Sequence, residues 1–495
     1  MIAAVDPVQN PSSLLAQSEL FIGGRWRPAE GEQRYGVENP ATGESVGSIA
    51  DASPADAIRA VDAAHAAFPG WAARLPKERS AALRKLYELM LANQDELARI
   101  LTSEQGKPLA EAKGEIVYAA GFLEWFAEEA KRIYGEIVPP TKPGRRHLIL
   151  KQPVGVAAAI TPWNFPAAMI TRKIAPALAA GCTVLIKPAK QTPLTAVAIV
   201  KLAEEAGFPP GVINLVTSSR SSAVAGAWFD DPRVKKIGFT GSTEVGKELM
   251  AAAAKQVKRI SLELGGHAPV LIFDDCDLDA AVAGTIASKY RNMGQTCICA
   301  NRIYVQRRIY DAFSERLTAA VQALKVGDGL ADGVQVGPLI DQAGYEKVVE
   351  HVADAQGHGA KLLTGGHRAT GGALDRGYFY VPTILTDVRE GMLIMEEETF
   401  GPVAPLIPFD TEEEALQRAN DTRYGLAAYA FTRDLGRAFR IGEGLEYGIV
   451  GVNDPVPSTP ECPFGGVKES GLGREGGHQG IDEFVQVKYL SLGVG

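Results

Sequence analysis

The chain has 495 residues, too many for one hydrophobic core, so two or three domains are expected. Hydrophobic residues at 46% and charged residues at 22% describe a globular protein and exclude disorder. A net charge of −8 excludes a sequence-independent nucleic-acid binder, which needs a basic footprint.

The N-terminal run MIAAVDPVQNPSSLLAQSEL lacks a basic start followed by an apolar core. No secretory signal is expected, and residues 1–17 read as a loose leader. Near residue 53, Ser53-Pro54-Ala55-Asp56 marks a helix start, with a capping serine, a proline in the first turn and an acid three residues on. A long helical region follows over roughly 77–134, where Leu83, Leu86, Leu89 and Met90 recur at helical spacing. From residue 155 the period changes. Short apolar runs at 155–161, 183–188, 212–217, 235–241 and 259–264 alternate with amphipathic stretches such as 194–206, which Gly207 closes. That pattern predicts a parallel sheet covered on both faces, a fold that binds nucleotides at the carboxyl ends of its strands. A second alternating region runs from about 269 to 460 and includes strands at 301–306 and 449–454. The tail 484–492 alternates like a strand that pairs with another subunit or, as an edge hairpin, with 147–153. The richest apolar stretch, 153–186, is broken by Pro153, Pro162, Pro166, Arg172, Lys173 and Pro176, so no membrane span is expected.

Five cysteines, an odd and sparse set, point to a reducing compartment, the cytoplasm, and to a reactive thiol rather than a disulfide framework. Neither HExxH nor CxxC occurs, so no metal is expected. Cys182 reads as core, and Cys276 and Cys462 as structural. Cys297 sits in RNMGQTCICANR, where glycine and glutamine suggest a tight polar loop, and Arg291 and Arg302 flank it as sources of positive charge. Glu263 ends a predicted strand in LELGGHAP and is well placed for chemistry. Asn164, in ITPWNFP, follows another strand and is a neutral donor suited to an oxyanion. Taken singly, each also reads as a buried thiol, a surface glutamate or a turn asparagine. GFTGSTEVGK, with Gly241, Ser242 and Gly246, has the strand–turn–helix form that holds phosphates. Gly471-Leu472-Gly473-Arg474-Glu475-Gly476 matches GxGxxG literally, but no apolar strand precedes it, and it reads as a loop.

The set TPWNFP, KPA-x-x-TP, FTGSTEVG, ELGG, GQTC, EETFGPV and PFGGVKESG, in this order from about residue 20 to 492, resembles the aldehyde dehydrogenase superfamily. The 34-residue separation of Glu263 and Cys297 belongs to the resemblance. It implies an α/β fold of that type. A Rossmann-type NAD(P)-binding domain would take 18–135 and 154–266, and an α/β catalytic domain 267–460. A small oligomerisation element would take 136–153 and 478–495, in a homodimer or homotetramer. It also implies roles. Cys297 attacks the aldehyde, Asn164 and the Cys297 N–H hold the oxyanion, hydride passes to the nicotinamide, and Glu263 activates water to hydrolyse the thioester. Glu263 thus favours hydrolysis over acyl transfer to coenzyme A. Lys173 is similar to a lysine linked to proton relay, with a solvated helix residue as the other reading. Ser242 would contact the pyrophosphate, Lys187 the adenosine ribose, and Glu398 and Phe400 the nicotinamide riboside, with Trp163 nearby. Lys190 stands where NAD-preferring relatives commonly carry an acid, and a lysine there removes repulsion of a 2′-phosphate. NADP use, alongside NAD, is expected.

Within the superfamily, PWNFPAAMITRKIAPALAAGCT, YRNMGQTCICANRIYVQ and ECPFGGVKESGLGREG resemble succinate-semialdehyde dehydrogenases. That likeness implies that Arg172, Arg291 and Ser458 grip the distal carboxylate of a small aldehyde, with glutarate semialdehyde as the alternative substrate. For either arginine a structural salt bridge is the other reading. Cys299 implies a redox-regulatory disulfide with Cys297.

Overall fold

A computed structural model describes residues 13–15 and 18–494 of the chain. The expected leader lies almost wholly outside the described residues. Two sheets carry the fold. The first has eight strands in the order Gly471–Leu472, Arg259–Glu263, Val234–Thr240, Val156–Ile160, Thr183–Lys187, Ile213–Leu215, Leu20–Ile22 and Arg25–Arg27. Its five central strands run parallel, and antiparallel strands close both edges. These five are the apolar runs of the sequence, within a residue or two at each end. They are almost entirely buried, because helices such as Ala168–Ala180 and Leu194–Glu205 cover them. The strands Val156–Ile160 and Val234–Thr240 lie side by side although far apart in sequence. Chain direction across the sheet reverses between them, which opens a crevice at their carboxyl ends. Asn164 follows one strand and Gly241 the other.

The second sheet has seven strands, with Ala268–Ile272, Ala300–Gln306, Val403–Phe409 and Ala427–Phe431 at its centre. It has its own core, built on residues such as Leu271, Tyr304, Ile407 and Ala430. The predicted helical region 77–134 is three helices, Pro76–Ala92, Gln94–Gln105 and Leu109–Glu129. Gly106 breaks it with φ 93°, a left-handed conformation that glycine adopts without a Cβ penalty, and Pro108 prevents continuation. The expected start at Ser53 is present as a full capping box with Asp56 on the helix Pro54–Ala72.

The terminal strand Val485–Gly493 pairs antiparallel with Arg145–Pro153, from Val485↔Pro153 to Gly493↔Arg145. The partner segment is the expected one, and the pairing lies within a single chain. The GxGxxG stretch is not purely a loop. Gly471–Leu472 adds an antiparallel edge strand to Arg259–Glu263. The run before it is short and polar, so sequence periodicity does not reveal the strand.

Candidate active site

Cys297 sits at the floor of a cavity of about 360 Å³. The loop that carries it is tightly wound, with Asn292, Met293 and Gly294 all at positive φ. A Cβ on Gly294 would lie 2.2 Å from the Gly401 carbonyl oxygen, so that position admits only glycine. Arg172, Arg291, Ser458, Tyr118 and Phe464 line the same cavity. Burial pushes the Cys297 thiol up to about 12, and Arg172 is the cation that opposes this. The expected role of Arg302 is not met. Its guanidinium is buried and donates to the carbonyls of His267, Arg418 and Ala419 and to the Tyr447 hydroxyl. It braces the second sheet instead.

Asn164 is buried beside the cysteine loop. Its side-chain amide donates to the Gln295 carbonyl at 3.1 Å. An amide nitrogen carries two hydrogens, so one remains for a ligand. Its main-chain carbonyl accepts from Lys107 Nζ at 2.7 Å and from Asn292 Nδ2 at 3.0 Å.

Glu263 ends its strand as expected, and it is buried. Neither carboxylate oxygen has a hydrogen-bond partner among the described residues. Burial and the nearby Glu475 charge raise its pKa well above the carboxylate range, and Arg172 and Lys173 only partly oppose them. Lys173 is not solvated. It is buried, and its ammonium bonds to Thr240 and Glu475. Arg172 meets the other Glu475 oxygen at 2.9 Å and lies 3.9 Å over the Phe464 ring. The salt-bridge reading of Arg172 is therefore correct, yet its Nη2, like Nε of Arg291, is buried without a hydrogen-bond partner among the described residues. Ser458 bonds to the Tyr118 hydroxyl at the cavity wall. Cys299 is buried behind the loop, with Sγ 3.7 Å from Lys289 Nζ and 3.2 Å from the Gly294 carbonyl. All five cysteines are free. Cys182 is core, Cys276 is half-buried, and Cys462 is exposed, which does not fit a packing role.

A profile of the Aldehyde dehydrogenase family matches residues 26–490. The chain belongs to the aldehyde dehydrogenase family. It is 54% identical, over 98% of its own length and 100% of the relative's, to a glutarate-semialdehyde dehydrogenase of Pseudomonas putida. It is 53% identical, over 98% and 99%, to the succinate-semialdehyde dehydrogenase [NADP(+)] GabD of Escherichia coli. The crystal structure of an E. coli NADP dependent enzyme superposes with a TM-score of 0.95 at 53% identity, covering 98% of this chain and 99% of that one.

The crevice side of this aldehyde dehydrogenase holds the residues expected at the nucleotide. Ser242 caps the helix Thr243–Ala254, accepting from Val245 N at 3.4 Å. Gly241 and Gly246 leave room for packing. A Cβ on Gly241 would meet the Phe239 ring at 2.4 Å, and one on Gly246 would meet Leu264 at 2.4 Å. Gly246 thus seats the helix on the segment after the Glu263 strand. Lys187 ends its strand buried, with Nζ donating to the Pro188 carbonyl at 3.1 Å, and burial lowers its pKa to about 8. Lys190 is exposed, three residues on. Trp163 and Phe400 form an edge-to-face pair at 5.4 Å. Glu398 accepts from Gly266 N at 3.2 Å, and burial raises it to about 7. A Cβ on Gly265 would stand 2.8 Å from the other Glu398 oxygen, so the glycine keeps this corner open.

Four residues of the site escape sequence reasoning: Glu475, Tyr118, Lys107 and Glu115. Glu475 lies inside the GxGxxG decoy. The others lie in a helical region read only for its apolar face.

Proposed function

We propose that this aldehyde dehydrogenase oxidises a small aldehyde with a distal carboxylate, succinate semialdehyde first, to the dicarboxylic acid. NADP serves as acceptor, alongside NAD. One observation carries the reading: two arginines with unpartnered buried donors and a serine share the Cys297 cavity. Arginine suits the task because its fork donates two bonds to a carboxylate. Glutarate semialdehyde is the second substrate. Relatives named for each substrate are equally similar to this chain, at 54% and 53%, and one methylene changes binding only modestly.

The nucleotide fits the crevice. Lys187 is desolvated and has donors to spare for ribose hydroxyls, Ser242 heads a helix suited to phosphate, and Lys190 adds positive charge where a 2′-phosphate would lie. Glu398, Phe400 and Trp163 would position the nicotinamide riboside. The oxidised nicotinamide, when bound, accepts the hydride that leaves the Cys297 adduct, so that a thioester remains. The chain's own groups do the rest. Cys297 gives its thiol proton to solvent water, and the thiolate Sγ bonds to the aldehyde carbon as the carbonyl π pair moves onto oxygen. The free Asn164 N–H and the Cys297 main-chain N–H hold the resulting oxyanion. Glu263 then takes a proton from water as that water attacks the thioester. Lys173 carries protons between Glu475 and Thr240.

The first sheet, with residues 18–135 and 154–266, serves as the nucleotide domain, and 267–460 as the catalytic domain. The pair 136–153 and 478–495 joins subunits of a homodimer or homotetramer. Val487, Tyr489 and Leu490 expose apolar surface on it. No described helix is long and apolar enough to cross a membrane, and five free thiols suit the cytoplasm.

The test compares succinate semialdehyde, glutarate semialdehyde and butanal with each cofactor, for the native enzyme and Arg291→Leu. Loss of a charge-assisted pair lowers kcat/KM for the two semialdehydes roughly 30- to 100-fold and leaves butanal nearly unchanged. Highest efficiency with butanal in the native enzyme overturns the reading.

A further inference from the structure

We propose that Lys107 is a positioning residue for catalysis, acting on the oxyanion donor Asn164 through the Asn164 main-chain carbonyl. The inference rests on reading Asn164 as that donor. Lys107 follows Gly106 at the break between two helices, and its side chain is buried. Its ammonium makes three contacts beside the turn that carries Asn164, two of them N–H hydrogen bonds. One donates to Glu115 Oε2 at 2.6 Å, one to the Asn164 carbonyl at 2.7 Å, and Nζ lies 3.8 Å over the Phe165 ring. Glu115 extends the tie, because its other oxygen accepts from Ala167 N at 2.9 Å and Ala168 N at 3.3 Å. Those N–H groups head the helix Ala168–Ala180, which carries Arg172 and Lys173. On the far side, Asn292 Nδ2 shares the Asn164 carbonyl, and Asn292 Oδ1 accepts from Gln105, two residues before Lys107.

The arrangement has a geometric purpose. With its carbonyl clamped by an ammonium and an amide, and one side-chain N–H spent on Gln295, Asn164 has a single free hydrogen with a fixed direction. An oxyanion donor is effective only when it is aimed before charge develops. A buried ion pair is a poor source of net stability, since an apolar pair of similar volume is often as stable. The ordering of the Asn164 turn gives this pair a function that stability does not.

The test uses Lys107→Met and the double variant Lys107→Met/Glu115→Gln in the full-length enzyme, with Asn164→Ala as reference. Two readouts are taken. One is aldehyde oxidation. The other is cofactor-free hydrolysis of p-nitrophenyl acetate, in which Cys297 attacks the ester carbonyl, p-nitrophenolate leaves, and water releases acetate from the thioester. In Lys107→Met, kcat and the p-nitrophenolate release rate fall together by roughly 30-fold, while aldehyde KM and NADP Kd change by less than about threefold. The double variant removes the stranded carboxylate, so its Tm recovers toward the native value while both rates stay low. If Lys107→Met does not fold, the double variant carries the same comparison. Rates that recover together with Tm, or that stay within about threefold of native while Asn164→Ala is inactive, overturn the proposal. Full ester turnover in Asn164→Ala instead overturns the oxyanion assignment beneath it.

Discussion

Gly266→Ala is a single added methyl aimed at the main chain of Cys297, the proposed nucleophile. Its Cβ would stand 2.3 Å from the Cys297 carbonyl oxygen and 3.3 Å from Leu426 Cβ. Real Cβ atoms essentially never approach closer than 3.0 Å. With Leu426 blocking retreat on one side, the Cys297 peptide must move by about 0.7–1 Å, and a misplacement of that size costs about 100-fold in rate. That factor corresponds to roughly 2.7 kcal/mol of activation free energy. Overpacking also lowers stability by about 1–3 kcal/mol. Gly226→Ala is the control: it lies inside the helix Ser221–Asp230, where a Cβ meets nothing within 4 Å. That substitution should leave kcat unchanged and stabilise by about 0.5–1 kcal/mol. The assay measures kcat with succinate semialdehyde, NADP binding by protein fluorescence, and Tm. NADP affinity should change far less than kcat in Gly266→Ala, because the Gly266 N–H that donates to Glu398 is retained and the added methyl meets Cys297 and Leu426 rather than Glu398. A kcat within about threefold of native would refute the claim that the Cys297 peptide is fixed by steric contact from Gly266.

Two further outcomes follow from electrostatics. Lys190→Glu places an anion at the exposed corner beyond Lys187 and should lower the NADP-to-NAD ratio of kcat/KM roughly 10- to 100-fold; an unchanged ratio removes Lys190 from cofactor selection. Burial holds the Cys297 thiol up to about 12, so the apoenzyme carries a protonated thiol at neutral pH. In a Cys462→Ser background, its alkylation by iodoacetamide should rise about tenfold per pH unit from 7 to 10, because only the thiolate reacts. A rate that levels off below pH 9 would contradict that burial effect.

What the sequence discloses depends on how local the determining contact is. The parallel strands are legible because burial on both faces leaves an unbroken apolar run, and Glu263 and Asn164 follow from standing at strand ends. The Cys297 loop is legible from its glycine. Arg302 misleads because proximity in sequence is not proximity in space. On the strand Ala300–Gln306 side chains alternate, and its guanidinium meets carbonyls more than a hundred residues away. Lys107 falls within the stretch read as helical for its apolar face, and only the meeting of segments around 107, 115 and 164 buries it. Glu475 is hidden by a literal glycine pattern whose meaning depends on a strand pairing that no local period announces. Cys182, by contrast, needed only its apolar neighbours.

The residues after 460 reach back across the whole molecule. Gly471–Leu472 borders the strand that ends in Glu263, and Glu475 ion-pairs with both Arg172 and Lys173. A chain still emerging from the ribosome has therefore made Arg172, Lys173 and Cys297 long before the carboxylate that pairs with those two cations. A product stopped before Gly471 would lack both the edge strand beside Glu263 and the carboxylate that pairs with Arg172 and Lys173.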